Sequence, residues 1–295
     1  MKKIVTFLLS VVLIIGTACM FGCGDATFNG NYKEVSASSA EVQQFSADTE
    51  SASRSENFDI TKGAEMELKL NGTAEGVDVD LEANFKIASV GDDTYLALQS
   101  EGAVKGTISG TFEKIEGNAD IDVKFYYTDG YGYLNGKFTM EISGVSNETT
   151  LKNKIPLELE KGIDSIINDV SNTLPDIRDL AELADGNLFV TLVAMSENLN
   201  GVKLYLDADA RKVKVEFSSI KIDEIKCDGE LYLVYDEQYH MSAFKVDVKI
   251  TTAAGEEMTV YFMFKNYSGT VKVPSEKDRE EYADFAGISG LNILA

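Results

Sequence analysis

Three carboxylate pairs two residues apart are the first groups in this chain whose type and spacing suit chemistry: Asp78 with Asp80, Asp120 with Asp122, and Asp207 with Asp209. On a strand, residues i and i+2 share a face, so each pair presents oxygen ligands of the kind Ca2+ takes. None comes with the glycine, the further acidic ligand and the loop of an EF-hand, so each reads as a solvated strand face. Cys227 with His240 is the remaining nucleophile and base pairing, and His240 is the single histidine in the chain. A thiol nucleophile needs an imidazole within hydrogen-bond reach, and no sequence feature brings these two together. The sequence carries no P-loop, no GxSxG elbow, no HExxH helix and no cysteine and histidine cluster. The expectation is a protein that is not an enzyme, with no catalytic residue, no metal site and no cofactor.

Two aromatic groups and one cysteine carry more information. Tyr126, Tyr127, Tyr131 and Tyr133 flank the Asp129-Gly130 pair, and Tyr232, Tyr235, Tyr239, Tyr261 and Tyr267 crowd the second half. Flat apolar area with a hydroxyl suits glycan or lipid contact, and it equally suits cross-strand packing. Cys23 follows Met20, Phe21 and Gly22 at the end of a lysine-led apolar run, Ile4 to Ile15. That arrangement is an export signal, too short for a good spanning helix. The cysteine site resembles the lipobox of bacterial lipoproteins, in which a small residue precedes a cysteine that is lipidated and becomes residue one. Residues 1–22 are therefore read as a signal peptide and Cys23 as the lipid attachment point, with Cys19 a second possible site. Cys227 would then be the lone thiol of the mature chain, which rules out an internal disulfide.

Charge narrows the partners. The formal net charge is -22, and removing Lys2 and Lys3 leaves 25 basic against 49 acidic groups, or -24. Such a surface repels nucleic acid and anionic headgroups, so no nucleic-acid partner is expected. The expected membrane contact is the lipid anchor on the extracytoplasmic face of the cell membrane, and the protein is expected as a monomer.

Residues 23–57 shift to Ser, Ala, Glu, Gln and Asn with almost no apolar period and read as a disordered tether. From Ala64 the chain alternates: Val77, Val79, Leu81, Ala83, Phe85 and Ile87 face one way, and Asp78, Asp80, Glu82, Asn84 and Lys86 the other. Strict period two marks an antiparallel sheet with one face on a core. Gly72 to Gly76, Gly117-Asn118, Asp129-Gly130, Asn135-Gly136, Asn200-Gly201, Asp228-Gly229, Asp236-Glu237 and Gly255 read as turns, and Leu188 to Val193 as a strand. Between the two β stretches, Leu159, Ile163, Ile166, Ile167, Val170, Leu174, Ile177 and Leu180 form one stripe of a helix spanning residues 155–185, interrupted at Pro175. The fold class that follows is mainly β, α+β in detail: a curved antiparallel sheet or half-barrel of about a dozen strands with helix 155–185 packed in its concave face. Ser275 with Asp278 predicts a cap for a short charged helix, and residues 276–295 form a tail that docks or frays.

The signal, the polar leash, the long antiparallel run with its Asp-Gly and Asn-Gly turns, the interrupting helix and the closing Asn266, Tyr267 and Ser268 to Pro274 resemble the LolA/LppX-like lipoproteins of Gram-positive bacteria. The likeness covers residues 58–275. It implies a half-barrel with helices in its concave face, where better-known members hold lipid or acylated ligands. The expected function is an anchored, non-enzymatic lipoprotein that binds or carries an apolar, lipid-like ligand between sheet and helix. Phe85, Ile166, Ile167, Val170 and Phe262 are its expected lining residues. The alternative is a structural or adhesion module of the envelope that meets a protein or glycan through its acidic, tyrosine-rich face.

Overall fold

The computed structural model describes residues 28–52, 63–74, 76–89, 98–112, 115–156, 188–222 and 225–284. Within them the chain is mainly β, an open, curved, mixed sheet of 13 strands accompanied by a few helices. The first meander comprises β2 (Ala64–Ala74), β3 (Val77–Ser89), β4 (Leu98–Phe112), β5 (Ile115–Thr128), β6 (Tyr131–Ile142) and β7 (Val145–Pro156). The second comprises β8 (Val202–Asp207), β9 (Lys212–Ile222), β10 (Ile225–Tyr235), β11 (Met241–Thr251) and β12 (Glu257–Asn266). They join where β12 pairs antiparallel with β2, setting Phe262 opposite Leu68 and Phe264 opposite Met66. Short strands close the two ends: β1 (Lys33–Val35) pairs antiparallel with β8, and β13 (Ala283–Asp284) pairs parallel with β7. That last pair makes an otherwise antiparallel sheet mixed.

Period-two alternation carried through this register produces a single apolar face. Leu204, Val215, Leu231, Val246, Phe262, Leu68, Ala83, Val104 and Val123 follow one another across nine strands as direct partners. This is the inner face. Over the second meander it is sealed by α1 (Ala40–Ser51) and α2 (Leu188–Asn198). Phe189 and Phe264 are fully buried there, as are Leu204, Leu206, Val213 and Leu233, while Val260 is buried in a separate cluster with Ile250 and Met258.

The N-terminal stretch expected as a tether is part of this fold. Ser39 caps α1 through the Val42 amide, and Val42 and Phe45 are buried. The Phe45 ring lies 4.8 Å from Phe189, 5.5 Å from Tyr235 and 5.3 Å from Tyr239. Few apolar residues are enough because Val42, Phe45 and Thr49 recur at spacings of three and four and fall on one helical face. Residues 28–32 lie on the outer face: Phe28 and Tyr32 meet the Tyr232 ring edge-on, and Lys212 Nζ donates to the Asn29 carbonyl at 2.7 Å. The folded domain therefore includes residues 28–52, which the composition had assigned to the tether.

Other expectations are corrected for similar local reasons. Residues 188–193 belong to α2, not a strand; Phe189, Leu192 and Val193 bury one helical face against the sheet. Gly117-Asn118 and Asn135-Gly136 lie inside β5 and β6. At Gly136 a Cβ would come within 2.0 Å of the Asp122 carbonyl, so glycine there permits close strand approach rather than a turn. Asp228-Gly229 lies within β10, at a register shift against β9. Asp129-Gly130 is the type I′ hairpin expected, with φ of 51° and 78°, and Ser143-Gly144 repeats it at 51° and 80°. Ile155 and Pro156 end β7; the rest of the stretch expected as a helix lies outside the described residues, as does Leu291 to Ala295.

The described part of the tail, up to Asp284, docks on the sheet. Ser275 and Asp278 form the expected capping box on α3 (Glu276–Arg279). The segment from Tyr267 to Asp284 crosses the outer face of the first meander as a strap. The Lys272 amide donates to Glu101, Arg279 pairs with Asp129, Lys152 pairs with Glu281, and Tyr282 meets Tyr133 edge-on at 5.2 Å.

Candidate functional site

The inner face has two unequal halves. Under α1 and α2 its side chains form one core that reaches Met66, Leu68 and Ile87 on β2 and β3, and a second buried cluster of Ile250, Met258 and Val260 takes in Leu70 and Val79. Beyond that, Leu81, Phe85, Val104, Ile121, Val123, Phe125, Phe138 and Met140 are half-buried. Four strands thus carry a continuous apolar surface, half-buried at these positions and buried at Ala83 and Tyr127. Its floor is lowered by glycine: Gly102 lies beneath the Phe85 ring, whose Cδ1 would stand 2.2 Å from a Cβ there. Gly102, Gly106 and Gly110 recur every four residues of β4 on this face, opposite Phe85, Leu81 and Val77. Large side chains on β3 alternate with bare backbone on β4, leaving a shallow apolar trough.

Of the expected lining residues, Phe85 lies in this trough and Phe262 lies two strands away on the same face, buried in the core. Ile166, Ile167 and Val170 fall outside the described residues. The glycines of β4 were not anticipated as part of a site, although their four-residue spacing within an alternating stretch is visible in the sequence.

Among the described residues, Asn266 and Tyr235 bring unmet polar groups to the buried inner face. Asn266, at the end of β12, is wholly buried, and among the described residues neither amide atom has a hydrogen-bond partner. The Tyr235 hydroxyl is in the same condition at the end of β10, and burial holds its pKa well above the usual phenol value. Each such group costs about 1–3 kcal/mol when unmet, so they mark where a polar guest or water would be stabilised. Through the register, Asn266 stands opposite Ala64, which stands opposite Ile87, placing the amide in line with the upper end of the trough.

The chemistry-bearing residues of the sequence do not converge. Cys227 and His240 lie toward opposite ends of β10, whose span from Cys227 to Tyr235 is about 26 Å at about 3.3 Å per residue. His240 Nδ1 lies 3.4 Å from Asp236, and burial, with Asp228 beside it, pushes the Cys227 thiol up rather than activating it. Asp78 accepts from the Thr73 hydroxyl, Asp122 pairs with Lys105, and Asp207 accepts from the Asn31 and Ala210 amides. Among the described residues no three His, Cys, Asp or Glu side chains gather as a metal site. The tyrosines split between faces: Tyr127 is buried on the inner face, while Tyr133 packs under the strap with Tyr282 and Tyr131.

The tightest electrostatic cluster is on the outer face of β9 and β10. Lys214 Nζ lies 2.7 Å from both Glu216 and Glu230; Tyr205 donates to Glu216 and Tyr232 to Glu230, each at 2.6 Å. Burial works against the Lys214 charge, but its two carboxylate bonds outweigh that and raise its pKa. The Glu216 carboxyl is lowered by Lys214 and then Tyr205; at Glu230 the same kinds of bond overcome burial. Hydrogen bonding to Glu216 pushes Tyr205 up to about 12. Carboxyls depressed in the folded state stabilise it above their unfolded value, about 4.3, and lose that contribution as pH falls through the folded value. The urea midpoint is therefore expected to hold from pH 7 to about 5 and to fall below about 4.5, with a shallower acid loss in Lys214→Met. Equal acid loss in both proteins would remove this cluster from the account.

No protein-family profile matches the chain, and no curated protein matches it.

Proposed function

We propose that the protein is a lipid-anchored extracytoplasmic lipoprotein that binds an acyl-chain amphiphile along the inner face of the first meander, without catalysing a reaction. The observation that carries this reading is the half-buried apolar surface over β3 to β6, continuous with the core under α1 and α2 but not covered by either of those helices. A contiguous apolar surface of that kind marks a binding site for an apolar ligand or partner. Its dimensions suit a chain: four strands about 4.8 Å apart make a trough about 14 Å across, floored by glycine. The unmet Asn266 amide, two strands from β3 and in line with its Ile87 end, offers an NH2 donor and a carbonyl acceptor, which match a carboxyl, ester or amide head and not a bare hydrocarbon.

The likeness of the sequence to LolA/LppX-like lipoproteins points the same way, and the Met20 to Cys23 lipobox supplies the anchor. The test is binding of a fluorescent fatty-acyl probe by the mature protein. Saturable one-to-one binding is expected, weakened about tenfold by Asn266→Leu, the loss of about one charge-free hydrogen-bonded contact. Val104→Asp is expected to abolish it by placing a charge in the trough. Unchanged binding in both variants would place the ligand elsewhere, and no binding by the wild type would overturn the reading.

A further inference from the structure

The short run between Cys23, the proposed anchor, and the packed Phe28 ring limits which side of the domain can meet the bilayer. Four residues, Gly24 to Thr27, separate Cys23 from Phe28. Five residue steps span at most about 18 Å when fully extended. Phe28 is held: its ring meets Tyr232 at 6.1 Å, Lys245 Nζ stands 5.3 Å over it, and its carbonyl accepts from the Tyr32 hydroxyl at 2.9 Å. The next residues are tied down as well, through Lys212 to the Asn29 carbonyl and through the Asn31 amide to Asp207. Beyond them β1 hydrogen-bonds to the sheet edge. The leash read from composition at 30-odd residues is thus shortened to a few.

We propose that the outer face of β9 to β11, centred on Phe28, Tyr232 and Lys245, rests against the lipid bilayer that holds the anchor; this rests on the lipoprotein reading above. Charge on the two outer surfaces agrees. Around Phe28, Lys212, Lys214 and Lys245 balance Asp207, Glu216 and Glu230. On the outer face of β3 and β5, Asp78, Asp80, Glu82, Asp120 and Asp122 outnumber Lys86 and Lys124. An anionic membrane surface repels the second region and not the first, so the electrostatic torque and the short tether select the same orientation. Tyrosine and lysine are also the side chains suited to an interface, with an apolar body and a polar end. One consequence follows for the ligand. The inner face of the sheet lies opposite this contact, so the guest is presented away from the anchoring bilayer rather than toward it.

The experiment uses the full lipidated chain in vesicles of phosphatidylethanolamine and phosphatidylglycerol that carry a headgroup acceptor dye. A donor is placed at Asp247→Cys on β11 or at Glu141→Cys on β6, both exposed outer-face positions, in a Cys227→Ser background. The two sites are six strands apart, about 29 Å along the sheet. Energy transfer from Asp247→Cys is expected to exceed that from Glu141→Cys at least threefold. Inserting twenty Gly and Ser residues between Ala26 and Thr27 should cut that ratio by half or more. Equal transfer from the two sites, or more from Glu141→Cys, overturns the orientation. A Cys227→Val background repeats the measurement should Ser at that position unfold the chain. The anchoring reading is tested separately by Cys23→Ala: continued vesicle binding without the acyl chains overturns the anchor, and this orientation falls with it.

Discussion

Phe45→Ala is expected to lower the unfolding free energy by about 3–5 kcal/mol, seen as a lower urea midpoint with an unchanged slope. Phe45 is 3% exposed, and its ring touches Phe189, Tyr235 and Tyr239, so truncation removes packing from three directions. The surrounding residues come from α1, α2 and the end of β10, three elements distant in sequence, and they have little freedom to close a cavity. The result separates two descriptions of the N-terminal region. As part of a solvated leash, Phe45 would contribute nothing, and its removal would leave the midpoint where it was. As the hinge pin of a helix that seals the core, it should rank among the costliest truncations in the chain. An unchanged midpoint would return residues 40–51 to the tether.

Cys23→Ala is expected to shift nearly all of the protein from the membrane to the soluble fraction. Each buried methylene of an acyl chain contributes about 0.8 kcal/mol, and two or more chains hold a protein firmly on the bilayer. With the acyl chains gone, the remaining contact is the balanced patch at Phe28 on a chain whose net charge is strongly negative. On the proposed orientation that patch would position the domain, with three lysines balanced by three carboxylates and no acyl chain to hold it. The distribution is read by fractionation after export. Full retention of Cys23→Ala would mean that Cys19 is the lipidated residue or that something else holds the protein.

Much of this fold was legible because alternation is a strong signal when one sheet face is buried and the other is wet. Val77 to Ile87 in β3 announced both the strand and its inward side, and Asp129-Gly130 announced its hairpin. Legibility failed where one residue type serves two purposes. Gly136 and Gly117 resemble turn residues, yet they sit within strands, and at Gly136 the missing Cβ lets the backbone of the neighbouring strand approach closely. It failed again in Leu188 to Val193, a short apolar run whose composition fits strand and helix alike; tertiary burial of Phe189, Leu192 and Val193 decided for the helix. In α1 the polar composition outweighed the Val42, Phe45 and Thr49 period, and in β7 a mostly polar edge strand gave little alternation to read.

The site was partly legible for the same reasons. Phe85 and Phe262 share the inner face because both stand at in-facing positions of strands that β2 connects. Their different burial depends on where α1 and α2 end, which alternation does not encode. The orphaned amide of Asn266 had no sequence signal, because its condition arises from what surrounds it.

The most direct test of the ligand-binding claim is native mass spectrometry of the anchored protein purified from its own membrane, followed by organic extraction. The expected result is one non-covalent acyl amphiphile per chain. It should leave under collisional activation while the covalent anchor stays, and it should fail to reappear in Val104→Asp. A mass equal to the lipidated polypeptide alone, with no lipid recovered on extraction and none taken up on re-exposure, would contradict the account.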